Sequence, residues 1–422
     1  MMDVFKLRLL RLFENPLLAG STILFLGNLI TNVSNYLYHL AMGRMLGPSS
    51  YGILESLISL LYLMEIPLTT LGVVVVKYVS QFKGEGRYKA VGKLYLKLNS
   101  QLMIIGLGGL VAYFLFTPIL AKILHLNDNF WLVMVGLMVF VTIFSGINRS
   151  VLQGLSKFFE LSLSGIAEGV GKLLLSVGLV AVGLKVTGAM GAMLIAGVLG
   201  YAISKYFVND RVKEYDLSEN LGRQTIIKYS LPVFISMLSL TSLFSTDIIL
   251  ARYYLTGFEA GLYSALAVLG KIIFFASGSI GAVMFPLISE YKAKNQNYRK
   301  IFWQSLGIVA MISIGMSAVY FIAPKIVILM LYGADYLKAV PFLGLFAIFL
   351  SLYSLVNIFV SYYISINKSG LALLTLPAAV LQVFLIIFFH QDISQIAGVS
   401  IAVLGLLVLF FIWYHFFYEK EN

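Results

Sequence analysis

Ionisable and amide side chains are rare within the long apolar stretches of this 422-residue chain, and those that occur there are the first place to look for chemistry. Asn28, Asn32, Asn35 and His39 recur at spacings of four, three and four, which sets them on one helical face. Such a stripe suits a water-accessible path, or hydrogen bonds that hold helices together. Asp247 stands five residues before Arg252, about 7.5 Å along a helix axis, so it belongs near a membrane surface. Two roles fit it: an acid neutralised by Arg252, or a carrier of a proton or cation. Glu65 and Lys271 lie near the middle of their stretches, where a charge facing lipid is costly. They either pair with each other or line a cavity, with Lys271 meeting an anionic group. Glu65 is followed by Pro67, where a lost backbone hydrogen bond lets a helix bend. Glu168 and Lys172, four apart in the favourable Glu-before-Lys order, are expected to form an internal ion pair.

Other chemistries lack a carrier. There is no Walker A motif, no HExxH and no CxxC, the four His (39, 125, 390 and 415) are scattered, and there is no Cys. No enzyme activity, metal site or cofactor is expected.

The elements that must position these groups are membrane spans. At 60% hydrophobic and 12% charged residues, the chain cannot cover a soluble surface of its size. Windows of about 20 apolar residues place spans at 17–43, 52–76, 94–117, 130–154, 161–184, 188–208, 226–251, 260–287, 302–323, 338–365, 370–390 and 393–416. The runs are too long for strands and do not alternate, so the expected fold is an all-α membrane protein of twelve transmembrane helices. The first span is expected to be retained, because its apolar run is far longer than a signal-peptide core.

Lys and Arg sort by side. Lys6, Arg8, Arg11, the cluster from Lys77 to Lys97, Arg149, Lys157, Lys205, Arg211, Lys213, Arg223, Lys228, Lys292, Lys294, Arg299, Lys300, Lys368 and Lys420 fall on one side; Arg44, Lys122, Lys185, Arg252, Lys325 and Lys338 fall on the other. The basic side is the cytoplasmic one, so both termini are expected there. The net charge of +11 sits in short loops beside helix ends, where it orients the chain and meets anionic lipid, and nucleic-acid binding is not expected.

The second half restates the first at an offset of about 208 to 210 residues. Arg44-Met45-Leu46-Gly47-Pro48-Ser49-Ser50-Tyr51-Gly52 lines up with the segment from Arg252 to Gly261, Ser80-Gln81-Phe82-Lys83 with Ser289-Glu290-Tyr291-Lys292, and Asp128 with Asp335. The expected organisation is an N-terminal lobe at 1–208, a cytoplasmic linker at 209–225 and a C-terminal lobe at 226–422. Six spans per copy make the repeats parallel. Within the spans the copies diverge: His39 stands where Asp247 does, and Tyr62 falls opposite Lys271 at offset 209.

The segment Arg44 to Gly52 ahead of the second span, Leu152-Gln153-Gly154-Leu155 at the end of the fourth, Asp247 in the seventh, and Leu331-Tyr332-Gly333-Ala334-Asp335-Tyr336-Leu337 ahead of the tenth together resemble the polysaccharide-biosynthesis flippases. These move undecaprenyl-pyrophosphate-linked O-antigen-type units. Their superfamily also holds multidrug and toxic-compound extrusion antiporters and the lipid II flippase. The resemblance covers essentially the whole chain. It implies two six-helix lobes around a central cavity formed largely by the first, second, seventh and eighth spans.

The function expected from this resemblance is alternating-access flipping of a polyprenyl-pyrophosphate-linked oligosaccharide from the cytoplasmic to the outer leaflet of the cell membrane. Lys271, with Arg44 and Arg252, would meet the pyrophosphate; Asn28, Asn32 and Asn35 would meet sugar hydroxyls. Asp247, Glu65 and His39 are the candidates for coupling to a proton or sodium gradient. The expected partners are the lipid-linked oligosaccharide, the bilayer and polysaccharide assembly proteins. A first alternative is a proton- or sodium-coupled antiporter of cationic drugs, which would use the acids rather than the bases. A second is a membrane scaffold that transports nothing.

Overall fold

A computed structural model describes residues 16–126, 129–212, 225–293, 296–366 and 368–418. Lys6, Arg8, Arg11, Asp128, Lys294, Lys420 and linker residues 213–224, with Lys213 and Arg223 among them, lie outside the described residues. Every regular element among those described is helical. In chain order they are α1 (Pro16–Gly84), α2 (Tyr88–Ile123), α3 (Phe130–Gly154), α4 (Phe158–Leu179), a π turn (Val180–Leu184), α5 (Lys185–Arg211), α6 (Thr225–Tyr254), α7 (Gly257–Ala293), α8 (Arg299–Ile322) and α9 (Pro324–Leu331). There follow a 3-10 segment (Ala334–Phe342), α10 (Leu343–Ser365), α11 (Ser369–Ala372), α12 (Thr375–Phe388) and α13 (Ile393–Tyr418).

Ten helical stretches are long and apolar enough to cross a membrane. Two of them, Leu26–Gly84 with 59 residues and Phe158–Asp210 with 53, are too long for one crossing. Drawn straight they would run about 88 and about 80 Å, more than twice the roughly 30 Å hydrocarbon core. Each is broken in the middle. α1 breaks at Gly47, whose φ of 70° and ψ of 168° lie in a region essentially reserved for glycine. Pro48, which has no N–H to lose, then opens the second limb. The other break falls at the π turn, with Gly183 at φ 96° and Lys185 at φ 45°. The ten stretches therefore contain the twelve spans.

The chain forms two compact units. One comprises Met1–Met45, Pro67–Lys122 and Asn127–Ser230; the other comprises Leu46–Ile66, Ile123–Leu126 and Leu231–Asn422. In the first unit, Val75, Val79 and Phe82 of α1 pack with Val91 and Tyr95 of α2 and Val151 and Leu152 of α3. A buried polar chain runs through it: Tyr95 Oη donates to Asn148 Oδ1 at 3.0 Å, and Asn148 Nδ2 donates to Ser204 Oγ at 3.3 Å. Glu168 finds its cation on another helix. Arg149 reaches it at 2.6 Å and also holds the backbone oxygen of Ser164, whereas Lys172 lies over the Tyr38 ring at 4.6 Å. The expected Glu168–Lys172 pair is thus replaced by an inter-helical one.

A pair of matched lysines does the same work in both units. Lys83 Nζ donates to the carbonyl of Leu155 at 3.0 Å and to Ser156 Oγ at 2.9 Å, just past the end of α3. Lys292, its counterpart at offset 209, donates to the carbonyl of Ile366 just past the end of α10. Both satisfy a helix-end carbonyl with a positive charge at the negative pole of the helix.

Candidate functional site

In the first unit, the limb of α1 before Gly47 packs with Gly27, Ser34, Tyr38 and Met42 buried. Asn28, Asn35 and His39 follow Gly27, Ser34 and Tyr38 by one residue, and Asn32 follows Thr31, which lies against Gly169, so all four lie beside the contact. Asn28 and Asn32 are exposed, while Asn35 and His39 are half-buried. The amides of Asn28, Asn32 and Asn35 are not spent on hydrogen bonds among the described residues. Leu29 and Val33 are about as open, so the exposed face mixes amide and apolar groups. His39 stands edge-on to Tyr38 at 5.4 Å, and Arg44 is exposed near the end of the limb.

The remaining candidates lie in the second unit, where three elements meet: the limb of α1 after Gly47, α6 and α7. α6 presents Phe244 and Asp247 one turn apart; α7 presents Tyr263 and Lys271 two turns apart. Asp247 is fully buried. Tyr263 Oη donates to its Oδ2 at 2.7 Å, and its Oδ1 is buried with no hydrogen-bond partner among the described residues.

Lys271 is 6% exposed, and its ammonium lies 5.0 Å from the ring centre of Phe244 and 5.8 Å from that of Tyr62. Phe244 is itself packed with Phe274 and Tyr353, centroids 6.1 and 5.2 Å away. The ring faces partly replace water around the cation. Lys271 makes no ion pair among the described residues. Asp247 and Glu55 are carboxylates whose charge reaches it.

Glu55 was not singled out in the sequence. It is 1% exposed, four residues after Tyr51 and seven before Tyr62, on the stripe that faces Lys271. Its charge also acts on Tyr51, Tyr62 and Tyr336. The signal available was this spacing of acid and phenols. Its place only a few residues inside the second span concealed it. Glu65 is half-buried on the same limb and acts on Tyr62.

Arg252 is buried, and its guanidinium is occupied. Nε donates to the carbonyl of Leu124 at 3.1 Å and Nη2 to that of His125 at 3.5 Å, clasping the turn that follows α2. His125 stacks on Tyr253, with ring centres 5.5 Å apart.

Three motifs picked out in the sequence converge near this point. Tyr51 Oη meets Tyr332 Oη at 3.3 Å, with Tyr336 against both rings. At Gly52 and Gly261 the backbones touch: a Cβ on Gly52 would fall 2.8 Å from Gly261 N, and one on Gly261 would fall 2.8 Å from Pro48 Cα. Lys338 lies 5.4 Å over the ring of Phe258.

A sequence model of the family described as polysaccharide biosynthesis protein matches residues 17–292. An uncharacterized membrane protein of Methanocaldococcus jannaschii is 24% identical over 294 residues, covering 65% of this chain and 68% of that one. Among solved structures, the fold is similar to a multidrug resistance MATE family transporter of the MOP superfamily in an inward-facing conformation. That match has a TM-score of 0.76 at 15% identity and covers 90% of this chain and 94% of that one. It is also similar to the lipid II flippase MurJ, with a TM-score of 0.74 at 12% identity, over 93% of this chain and 87% of that one.

Proposed function

The chain belongs to the polysaccharide biosynthesis protein family, and from that premise we propose that it is a flippase. Its substrate in this reading is a polyprenyl-pyrophosphate-linked oligosaccharide, carried by alternating access from the cytoplasmic to the outer leaflet of the cell membrane. It is a carrier rather than a catalyst, with both termini cytoplasmic, and it works alongside polysaccharide assembly proteins. The observation that carries the reading is Lys271: a buried ammonium held between aromatic rings, with no ion pair among the described residues. A cation so placed gains from an anionic headgroup that takes over its neutralisation. Arg44, being exposed, supplies a second positive charge. Arg252 acts by holding the turn at Leu124 and His125. The unspent amides of Asn28, Asn32 and Asn35 offer donors and acceptors to sugar hydroxyls. Asp247, Glu65 and His39 serve the coupling proton or sodium ion.

Export of the anionic head is favoured by the membrane potential, at about 2.3 kcal/mol per charge for each 100 mV. The test is flipping of a fluorescent lipid-linked oligosaccharide in proteoliposomes. Lys271→Ala and Arg44→Ala are expected to slow it together. Wild-type rates in both would end the cationic-site reading.

One observation favours a second reading. Asp247 Oδ1 is buried and unpartnered among the described residues, as an acid awaiting a cation would be. A cation-coupled multidrug antiporter would use it, and Asp247→Asn would then abolish drug resistance while Lys271→Ala would not. The positive charge of Lys271 beside Asp247 weighs against a cationic drug there.

A further inference from the structure

Lys89 and Lys97 of α2 are exposed, and neither makes a hydrogen bond or ion pair among the described residues. They share one helical face, with Lys93 half-buried between them at steps of four. That face runs on into the widely exposed Ile104, Val111 and Leu115, while Tyr95, Leu102 and Tyr113 bury the opposite side of α2. No residue in 98–121 is charged, so the exposed face meets lipid. About 20 helical residues cross the hydrocarbon core; counted back from Lys122 they end at Leu102, which sets Lys97 about 7 Å beyond it. That is headgroup depth. Lys89 starts further out, and its long stem lets the ammonium turn toward the phosphates.

Orientation in the membrane does not account for this cation. α8, the counterpart of α2 at offset 210, has Arg299 for Lys89 but Trp303 for Lys93 and Gly307 for Lys97. Parallel copies enter from the same side, so a lysine at headgroup depth is not what orients them. Packing does not forbid one on α8 either, since nothing lies within 4 Å of a Cβ added to Gly307. We propose that Lys97, with Lys89, holds an anionic phospholipid of the leaflet on the basic side of the membrane, at a site that α8 lacks. The charges are complementary, and the apolar face beyond Gln101 receives the acyl chains.

The chain has no Cys, so a fluorophore on Ser100→Cys, exposed on the same face, reports the site without background. Met311→Cys, exposed at the matching depth of α8, is the control. The full-length chain is reconstituted in phosphatidylcholine with a minor share of phosphatidylglycerol, one of the two carrying a nitroxide on its acyl chain. Quenching per mole of each lipid then gives the local enrichment of the anionic one. About fivefold is expected at Ser100→Cys, which is what one lysine near the surface supplies, and little or none at Met311→Cys. Lys89→Gln with Lys97→Gln should abolish it. Equal quenching by the two lipids at Ser100→Cys overturns the proposal, as does an enrichment that survives the double variant. An equal enrichment at Met311→Cys also overturns it, because the general surface potential then suffices. Loss of the enrichment on adding inorganic phosphate at constant ionic strength would show a site for free phosphate and overturn the lipid assignment.

Discussion

Replacing Gly261 by alanine tests a close backbone approach in the second unit. The new Cβ would fall inside the van der Waals shell of the Pro48 carbonyl, with Pro48 Cα only 2.8 Å away. Backbone cannot rotate aside as a side chain can, so the limb of α1 and the start of α7 must separate. Overpacking of this kind costs about 1–3 kcal/mol and sometimes more, and a clash with backbone belongs at the upper end. For a folded unit of this size, about 3 kcal/mol corresponds to a fall in Tm of roughly 6–12 °C. Gly52→Ala meets the same partner less closely, with Gly261 N at 2.8 Å and Gly261 Cα at 3.0 Å, and should cost less. Because either change forces the same separation, the double variant should be less destabilised than the sum. The control is Gly307→Ala in α8, where nothing lies within 4 Å of the added atom. The assay is thermal unfolding in detergent followed by size-exclusion fluorescence. Gly261→Ala as stable as Gly307→Ala would refute the close-crossing argument.

Three further outcomes are expected. A double-mutant cycle between Arg149 and Glu168 should give a coupling of about 1–3 kcal/mol in unfolding measurements, since the contact is charge-assisted and half-buried. The same cycle between Lys172 and Glu168 should give a value near zero; a strong coupling there would restore the local pair. Lys83→Met and Lys292→Met should each cost about 0.3–1 kcal/mol and loosen hydrogen exchange at the ends of α3 and α10. Unchanged exchange at both ends would discount the capping role. Asp392, ahead of α13, accepts hydrogen bonds from Ser394 Oγ at 2.7 Å and Gln395 N at 2.8 Å, which hold its carboxyl below the usual carboxylate range. A depressed native value means that the cap is present above the ordinary carboxylate pKa and is lost as pH falls through the native one. Exchange at residues 393–396 should therefore rise on acidification in wild type and be high at every pH in Asp392→Ala.

The spans were legible because hydropathy is read one segment at a time, and a bilayer sets a narrow range of lengths. What hydropathy does not show is where helices continue. The junctions at Gly47 and Gly183 are breaks inside long helical runs, and only backbone angles show that glycine is required there. Spacing rules work along one helix and fail across helices. Glu168 and Lys172 satisfy the rule for neighbours on a helix, yet Arg149, on α3, takes the carboxylate. Lys83 and Lys292 read as part of the basic cytoplasmic side, and their second use as helix caps depends on the ends of α3 and α10, far away in sequence. Glu55 escaped for the same reason: the limb it occupies matters only because α7 lies against it.

The duplication also explains why the cation stands where it does. Gly52 and Gly261 are counterparts at offset 209, and they touch each other. Tyr62 and Lys271 are counterparts at the same offset, and the ammonium of one lies 5.8 Å from the ring centre of the other. In each pair a residue meets its own counterpart inside the second unit. In an ancestor with identical copies, a lysine at this position would have faced a second lysine, and two buried ammonium groups at such a distance repel strongly. A single cation there became tolerable only once the copies differed, with a phenol ring on one side and an ammonium on the other. The glycine pair has the opposite requirement, since both members must stay small for the backbones to cross. The same crossing therefore preserved likeness at the glycines and demanded difference nearly three turns further in. Restoring symmetry tests this directly: Tyr62→Lys should destabilise the second unit, and Lys271→Tyr should fold while losing headgroup binding. A stable Tyr62→Lys protein that still binds the headgroup would remove the counterpart contact from the explanation.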